Sequence, residues 1–220
     1  MAQASAHHGI LRDTRLHVDD HGGAGRAVVL IHGWPLSGAS FAHQVPALRE
    51  AGYRVVTYDR RGFGRSDKPR TGYAYDTLAD DLHAVLVERG IEDATLVGFS
   101  MGGGEVARYA TAYGGERVRS VVLASAVTPY LLRTPDNPEG PLEAEQAARM
   151  SAGLSTDADG FYDGFATQLF SAGGELRVSE AERQEALALC HQASTVAALQ
   201  CLAAFASTDF RPDLANVDVP

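Results

Sequence analysis

Apolar residues in this chain fall into short unbroken runs that end at glycine-rich corners. Residues 27–32, Ala-Val-Val-Leu-Ile-His, are apolar on both faces, as a parallel strand must be when helices cover it on either side. Residues 53–59, 94–97 and 118–124 are runs of the same kind and predict further buried strands. Residues 16–18 alternate like a strand and stop at the turn Asp19-Asp20-His21-Gly22-Gly23. Between the runs the period lengthens. Residues 41–51 read as a helix, and Leu78, Leu82, Val85 and Leu86 fall on one stripe at i, i+4, i+7 and i+8. Asp76 is the expected N-cap of that helix and Gly90 its stop. His83 lies off the stripe beside Asp80 and Asp81, which reads as a solvated face rather than a metal site. Another helix runs through Tyr113, and its glycines at 102, 103 and 104 imply a close approach to the sheet. Strands alternating with helices predict a doubly wound, mostly parallel α/β sheet with its loops gathered at the carboxyl ends of the strands.

From Val127 the pattern changes. A turn-rich bridge holding Pro129, Pro135, Pro138 and Pro141 leads into helical segments at 142–153, 158–170, 179–190 and 195–206, with no strand between them. Phe161, Tyr162, Phe165 and Phe170 make this the aromatic-rich part. It reads either as a cap over the strand ends or as a helical subdomain packed at the sheet edge. The cap is favoured because the insert leaves from the carboxyl end of a strand. The expected organisation is core at 1–126, cap at 127–207 and a return segment at 208–220.

Composition changes this picture little. A chain of 220 residues fits one domain with an inserted lobe. The net charge of −9 argues against nucleic acid and anionic membrane surfaces as partners. No run approaches the 18 or so apolar residues of a membrane span, and the N-terminus lacks the apolar centre of a secretory signal, so a cytoplasmic protein is expected. Residues 1–10, with His7-His8, read as a disordered tail rather than a metal site. Cys190 and Cys201, both in apolar helical segments, read as buried free thiols.

The candidate chemistry lies at Gly98-Phe99-Ser100-Met101-Gly102, a G-x-S-x-G pattern between an apolar run and a helix. With glycine at 23 of 220 positions, chance alone produces this pattern about 0.1–0.2 times per chain of this length. The alternative is a glycine-rich turn with a solvated serine. The flanking strand and helix favour a nucleophile elbow, with Ser100 on a strained corner. A serine nucleophile needs a base, and acyl transfer needs N–H donors for the oxyanion. The backbone N–H of Met101 supplies one donor, and that of Trp34, in the loop after the first buried strand, supplies the other. Trp34 also reads as a packing aromatic. His32 reads as a structural imidazole at a strand end rather than a catalytic one.

Three stretches carry a resemblance. Leu30-Ile31-His32-Gly33-Trp34-Pro35, Tyr58-Asp59-Arg60-Arg61-Gly62-Phe63-Gly64-Arg65-Ser66 and Val97-Gly98-Phe99-Ser100-Met101-Gly102-Gly103-Gly104-Glu105 together resemble the α/β-hydrolases called cofactor-free (non-haem) haloperoxidases, with their aryl-esterase and perhydrolase relatives. The likeness runs from about Leu16 onward. It implies a Ser-His-Asp triad with Ser100 as nucleophile, hydrolysis of small esters, and peracid formation from carboxylic acids and hydrogen peroxide. It implies no metal, haem or other cofactor, and it admits a homo-oligomer. An aspartate in place of Ser100 would mark the dehalogenase branch.

The resemblance also implies an acid after a later strand and a histidine after the last one. Residues 209–220 match the approach to that region, but no histidine follows His191, and Ser125-Ala126-Val127 holds no carboxylate. The expectation is of a hydrolase whose last strands and helices, with the catalytic Asp and His, are not in this chain. Such a chain should have very little esterase activity, since loss of the base costs roughly 10⁴–10⁶ in rate. It should also expose an apolar sheet edge at 118–124. The rival reading is a catalytically inactive fragment or a ligand-binding module.

Overall fold

A computed structural model of the chain describes residues 2–5 and 14–220. Six strands form one sheet: β1 (Ala2–Ser5), β2 (Arg15–Asp20), β3 (Ala27–Ile31), β4 (Arg54–Asp59), β5 (Ala94–Phe99) and β6 (Val118–Ala124). Their spatial order is β1-β2-β4-β3-β5-β6. The last four in that order run parallel, while β1 and β2 add antiparallel strands at one side. For residues 2–5, β1 corrects the expectation of a disordered tail, because Ala2 pairs with Val18 and Ser5 with Arg15. His7-His8 lies outside the described residues.

The crossovers are α1 (Gln44–Glu50), α2 (Tyr75–Glu88) and α3 (Met101–Tyr113). β3 explains why its run has no polar alternation. Val28 and Leu30 pack with Phe41, Val45 and Leu48 on the α1 face. Val29 and Ile31 pack with Leu82, Val85 and Val106 on the face of α2 and α3. The stripe foreseen on α2 is fully buried, and Gly90 ends the helix region at φ 57°.

Several local expectations need correction. Ala74, not Asp76, is the N-cap of α2. Asp76 sits inside the first turn, where a carboxylate complements the helix dipole, and pairs with Arg108 of α3. Asp81 is not solvated, since it is buried against the guanidinium of Arg61 at 2.5 and 2.6 Å. His83 stacks on Tyr113 with ring centroids 3.9 Å apart. β6, by contrast, is the exposed apolar edge expected at 118–124: Val122 is 45 % and Leu123 37 % exposed. The reason is topological, because β6 is the last strand at its side of the sheet. Its Val121 N–H donates to the carbonyl of Pro220 at 2.9 Å.

The remaining helices are α4 (Ala144–Thr156), α5 (Ala158–Leu169), α6 (Glu180–Cys190), α7 (Thr195–Ser207) and the short α8 (Arg211–Leu214). A two-residue hairpin, β7 (Ser171–Ala172) with β8 (Glu175–Leu176), joins α5 to α6 and was not foreseen. Asp157 and Ser194 cap α5 and α7, and Ser179 with Glu182 forms a capping box on α6. Trp34, Met101, Leu154, Tyr162, Leu202 and Phe205 belong to one cluster that joins these helices to the strand tips. Cys190 and Cys201 are buried and unbridged, as foreseen. Among the described residues no single helix is long and apolar enough to cross a membrane.

Candidate active site

β5 ends at Phe99 and α3 begins at Met101, so one residue turns the chain. That residue, Ser100, has φ 53° and ψ −116°. Only glycine adopts such a backbone freely, and the strain is on the order of 1–3 kcal/mol. Three backbone bonds hold it. Ser100 N–H donates to Ala124 C=O at 3.0 Å, and Ser100 C=O accepts from Gly103 at 3.0 Å and Val127 at 3.1 Å. The corner also needs room. A Cβ on Gly98 would stand 2.5 Å from the Gly102 carbonyl oxygen, and one on Gly102 would overlap the Ile31 carbonyl. The first turn of α3 therefore lies directly on β3 and β5, as its glycines implied.

The loop after β3 closes on the same corner. A Cβ on Gly33 would be 2.9 Å from the Phe99 ring and 3.2 Å from Ser100 Cβ. The next residue is Trp34. Neither its backbone N–H nor that of Met101 has an acceptor among the described residues. Met101 is the first residue of a 13-residue helix, so its N–H belongs to the positive end of the helix dipole. The Trp34 indole is anchored separately. Its Nε1–H donates to Ala198 C=O of α7 at 2.9 Å, and its ring meets Phe165 and Phe205 edge-on at 5.4 and 5.6 Å.

His32 is fully buried. Its Nε2 accepts the Arg60 backbone N–H at 2.9 Å, which leaves the proton on Nδ1 to bond Gly33 C=O at 2.9 Å. Burial and the Arg60 charge push its pKa well below the ordinary value, so it stays neutral. With Nε2 occupied, it is placed as a strut rather than a base.

Beneath it lies a polar network that sequence reading missed. Arg60 is fully buried, donates Nη2–H to His32 C=O at 2.6 Å, and its Nε bonds Glu105 of α3. Tyr58 O–H donates to the other Glu105 oxygen at 2.7 Å. Burial opposes the Arg60 charge most strongly, but Glu105 and Tyr58 among its neighbours together outweigh it and the guanidinium pKa rises, so Arg60 remains a cation. The only sequence signal was a pair of arginines directly after a strand buried on both faces, too deep for either charge to reach water unaided.

The Ser100 hydroxyl makes no hydrogen bond among the described residues. His17 bonds Asp19, His21 bonds Thr57 and His191 faces Asp159. A cavity of about 1000 Å³ opens on the α1 face, lined by Leu30, Val97, Phe99, Phe170 and Leu189 among others, and Ser100 does not line it. No cluster of metal-ligating side chains occurs among the described residues.

Comparison with known proteins decides the family. The alpha/beta hydrolase fold profile matches residues 26–196. The chain belongs to the α/β-hydrolase family. It is 40% identical to a non-heme chloroperoxidase of Kitasatospora aureofaciens, over 90% of this chain and 72% of that protein. The crystal structure of a bromoperoxidase from Bacillus anthracis superposes with a TM-score of 0.93 at 47% identity, covering 100% of this chain and 78% of the other. A bifunctional esterase/perhydrolase of Acinetobacter calcoaceticus is 45% identical over 50% of this chain and 40% of its own. The relatives of this hydrolase are enzymes, and the whole chain shares the bromoperoxidase fold.

Proposed function

We propose that this hydrolase cleaves small carboxylic esters with Ser100 as nucleophile and the Trp34 and Met101 N–H groups as oxyanion donors. Ser100 Oγ attacks the ester carbonyl as its proton passes to a base, the two amides receive the developing oxyanion, and the alcohol leaves carrying that proton to give an acyl-serine; no described side chain stands in the base's place. Water then releases the acid. Hydrogen peroxide in place of water releases a peracid, which in turn oxidises halide in a secondary step. The esterase/perhydrolase name of one relative supports this pairing of activities. The observation that carries the reading is the strained backbone of Ser100, packed against Gly33 and beside two unbonded N–H groups.

The insert at 127–207 acts in this reading as a cap, and the protein is cytoplasmic. No histidine among the described residues is bonded to Ser100, which makes a competing reading specific: Ser100 has no base, and the fold acts as an inactive hydrolase or a ligand-binding module. Hydrolysis of p-nitrophenyl acetate and labelling by a fluorophosphonate probe decide between them. Turnover and labelling that both vanish in Ser100→Ala support the hydrolase. Absence of labelling in the native chain supports the alternative.

A further inference from the structure

We infer that Arg60 is a positioning residue that fixes the distance between the loop at 32–34 and the elbow helix α3. This rests on the proposed roles of Trp34 and Met101. Those two amides come from elements 67 positions apart in the chain, so their spacing is set by whatever ties the elements together. Arg60 makes that tie with three separate groups. Its backbone N–H holds His32 Nε2, its Nη2 holds His32 C=O, and its Nε holds Glu105 on the second turn of α3. His32 passes the restraint one residue onward by bonding Gly33 C=O, and that same carbonyl receives the Leu36 N–H at 3.0 Å. Tyr58 O–H fixes the far oxygen of Glu105, so the carboxylate cannot swing to follow a displaced partner. The guanidinium suits the task because its rigid fork serves a carboxylate and a carbonyl at once, where an ammonium serves as a single point.

A buried arginine beside a carboxylate is not special in itself, and the chain carries its own control. Arg61 is equally buried and is paired with Asp81 of α2 at 2.5 and 2.6 Å. None of its bonds touches the 32–34 loop or α3. Arg60→Lys and Arg61→Lys therefore disturb similar buried pairs, and only the first loosens the oxyanion donors. Oxyanion donors act on the transition state more than on bound substrate, so the two variants part in kcat rather than in KM.

The experiment compares p-nitrophenyl acetate kinetics of the native chain, Arg60→Lys, Arg61→Lys and Ser100→Ala at matched folded fraction. Alongside them, hydrogen exchange is followed at the Leu36 amide. The expected result is a fall in kcat of about 10- to 100-fold in Arg60→Lys, below the loss of a whole oxyanion donor, with KM within about twofold. Arg61→Lys keeps kcat within about threefold, and Leu36 exchanges at least about tenfold faster in Arg60→Lys than in Arg61→Lys. Equal kcat losses in the two lysine variants overturn the inference. Turnover unaffected by Ser100→Ala defeats the functional reading instead, whereas native turnover too slow to resolve is the residual level of an elbow without its triad base. The Leu36 exchange rates then decide the structural tie by themselves, and equal rates in both variants end it.

Discussion

One methyl group added at two different glycines should move stability in opposite directions. Gly98 is the last residue but one of β5, and a Cβ there would lie 2.5 Å from the Gly102 carbonyl oxygen and 2.6 Å from Gly103 Cα. Ordinary contact begins near 3.4 Å, so α3 and β5 must part by about 0.9 Å. Both atoms are backbone, and backbone on two sides cannot rotate away. Overpacking of this kind costs about 1–3 kcal/mol, and Gly98→Ala should sit at the upper end because the strained Ser100 turn depends on the same contact. Gly164 lies inside α5 with nothing within 4 Å of its would-be Cβ and no positive φ. Gly164→Ala there removes only unfolded-state freedom, and should stabilise by about 0.5–1 kcal/mol. Urea unfolding followed by circular dichroism measures both. The reasoning is refuted if Gly98→Ala loses less than about 0.5 kcal/mol, or if Gly164→Ala destabilises.

Three further outcomes are expected. His32 is neutral and depressed in the fold, with an ordinary value of 6.5 when unfolded. The unfolded chain therefore takes up the extra proton, and stability should fall as pH drops below about 6.5, by up to about 1.4 kcal/mol per pH unit. Chemical denaturation at pH 7.5, 6.5 and 5.5 should show this slope, and His32→Asn should flatten it. Asp81→Ala strands the buried Arg61 charge and should cost about 3–5 kcal/mol; a loss under 1 kcal/mol in a denaturant melt would mean that water reaches the guanidinium. Leu123→Lys places a charge on the exposed strand β6 and should reduce self-association seen by sedimentation without loss of secondary structure; unchanged aggregation would locate the sticky surface elsewhere.

The alternation of apolar runs and helical stripes sufficed for the parallel core, because β3 and β4 are buried almost throughout on both faces and β5 is fully buried on one. It also sufficed to put Ser100 on a strained corner, since a strand that becomes a helix within one residue needs the room that glycines at 98 and 102 leave. It failed where long-range geometry decides. Asp81 reads as surface because its neighbours Asp80 and His83 are polar, and only the fold brings Arg61 to it. Arg60 and Glu105 are 45 positions apart in sequence, and no local period links them. The exposed apolar edge at 118–124, by contrast, was legible, because no further strand of that sheet was available in residues 125–220 to cover β6. The hairpin between α5 and α6 is two residues per strand, too short for any alternation to appear.

The indole of Trp34 ties together two parts that lie far apart along the chain. Its N–H is bound to α7 and its ring is wedged among aromatics of α5 and α7, while its main chain continues directly from the glycine pressed on the serine. Any rocking of those helices to admit or release a molecule must therefore tug on the amide at position 34. With Trp34 as the oxyanion donor proposed above, a guest that props those helices apart would slacken that donor without ever touching it.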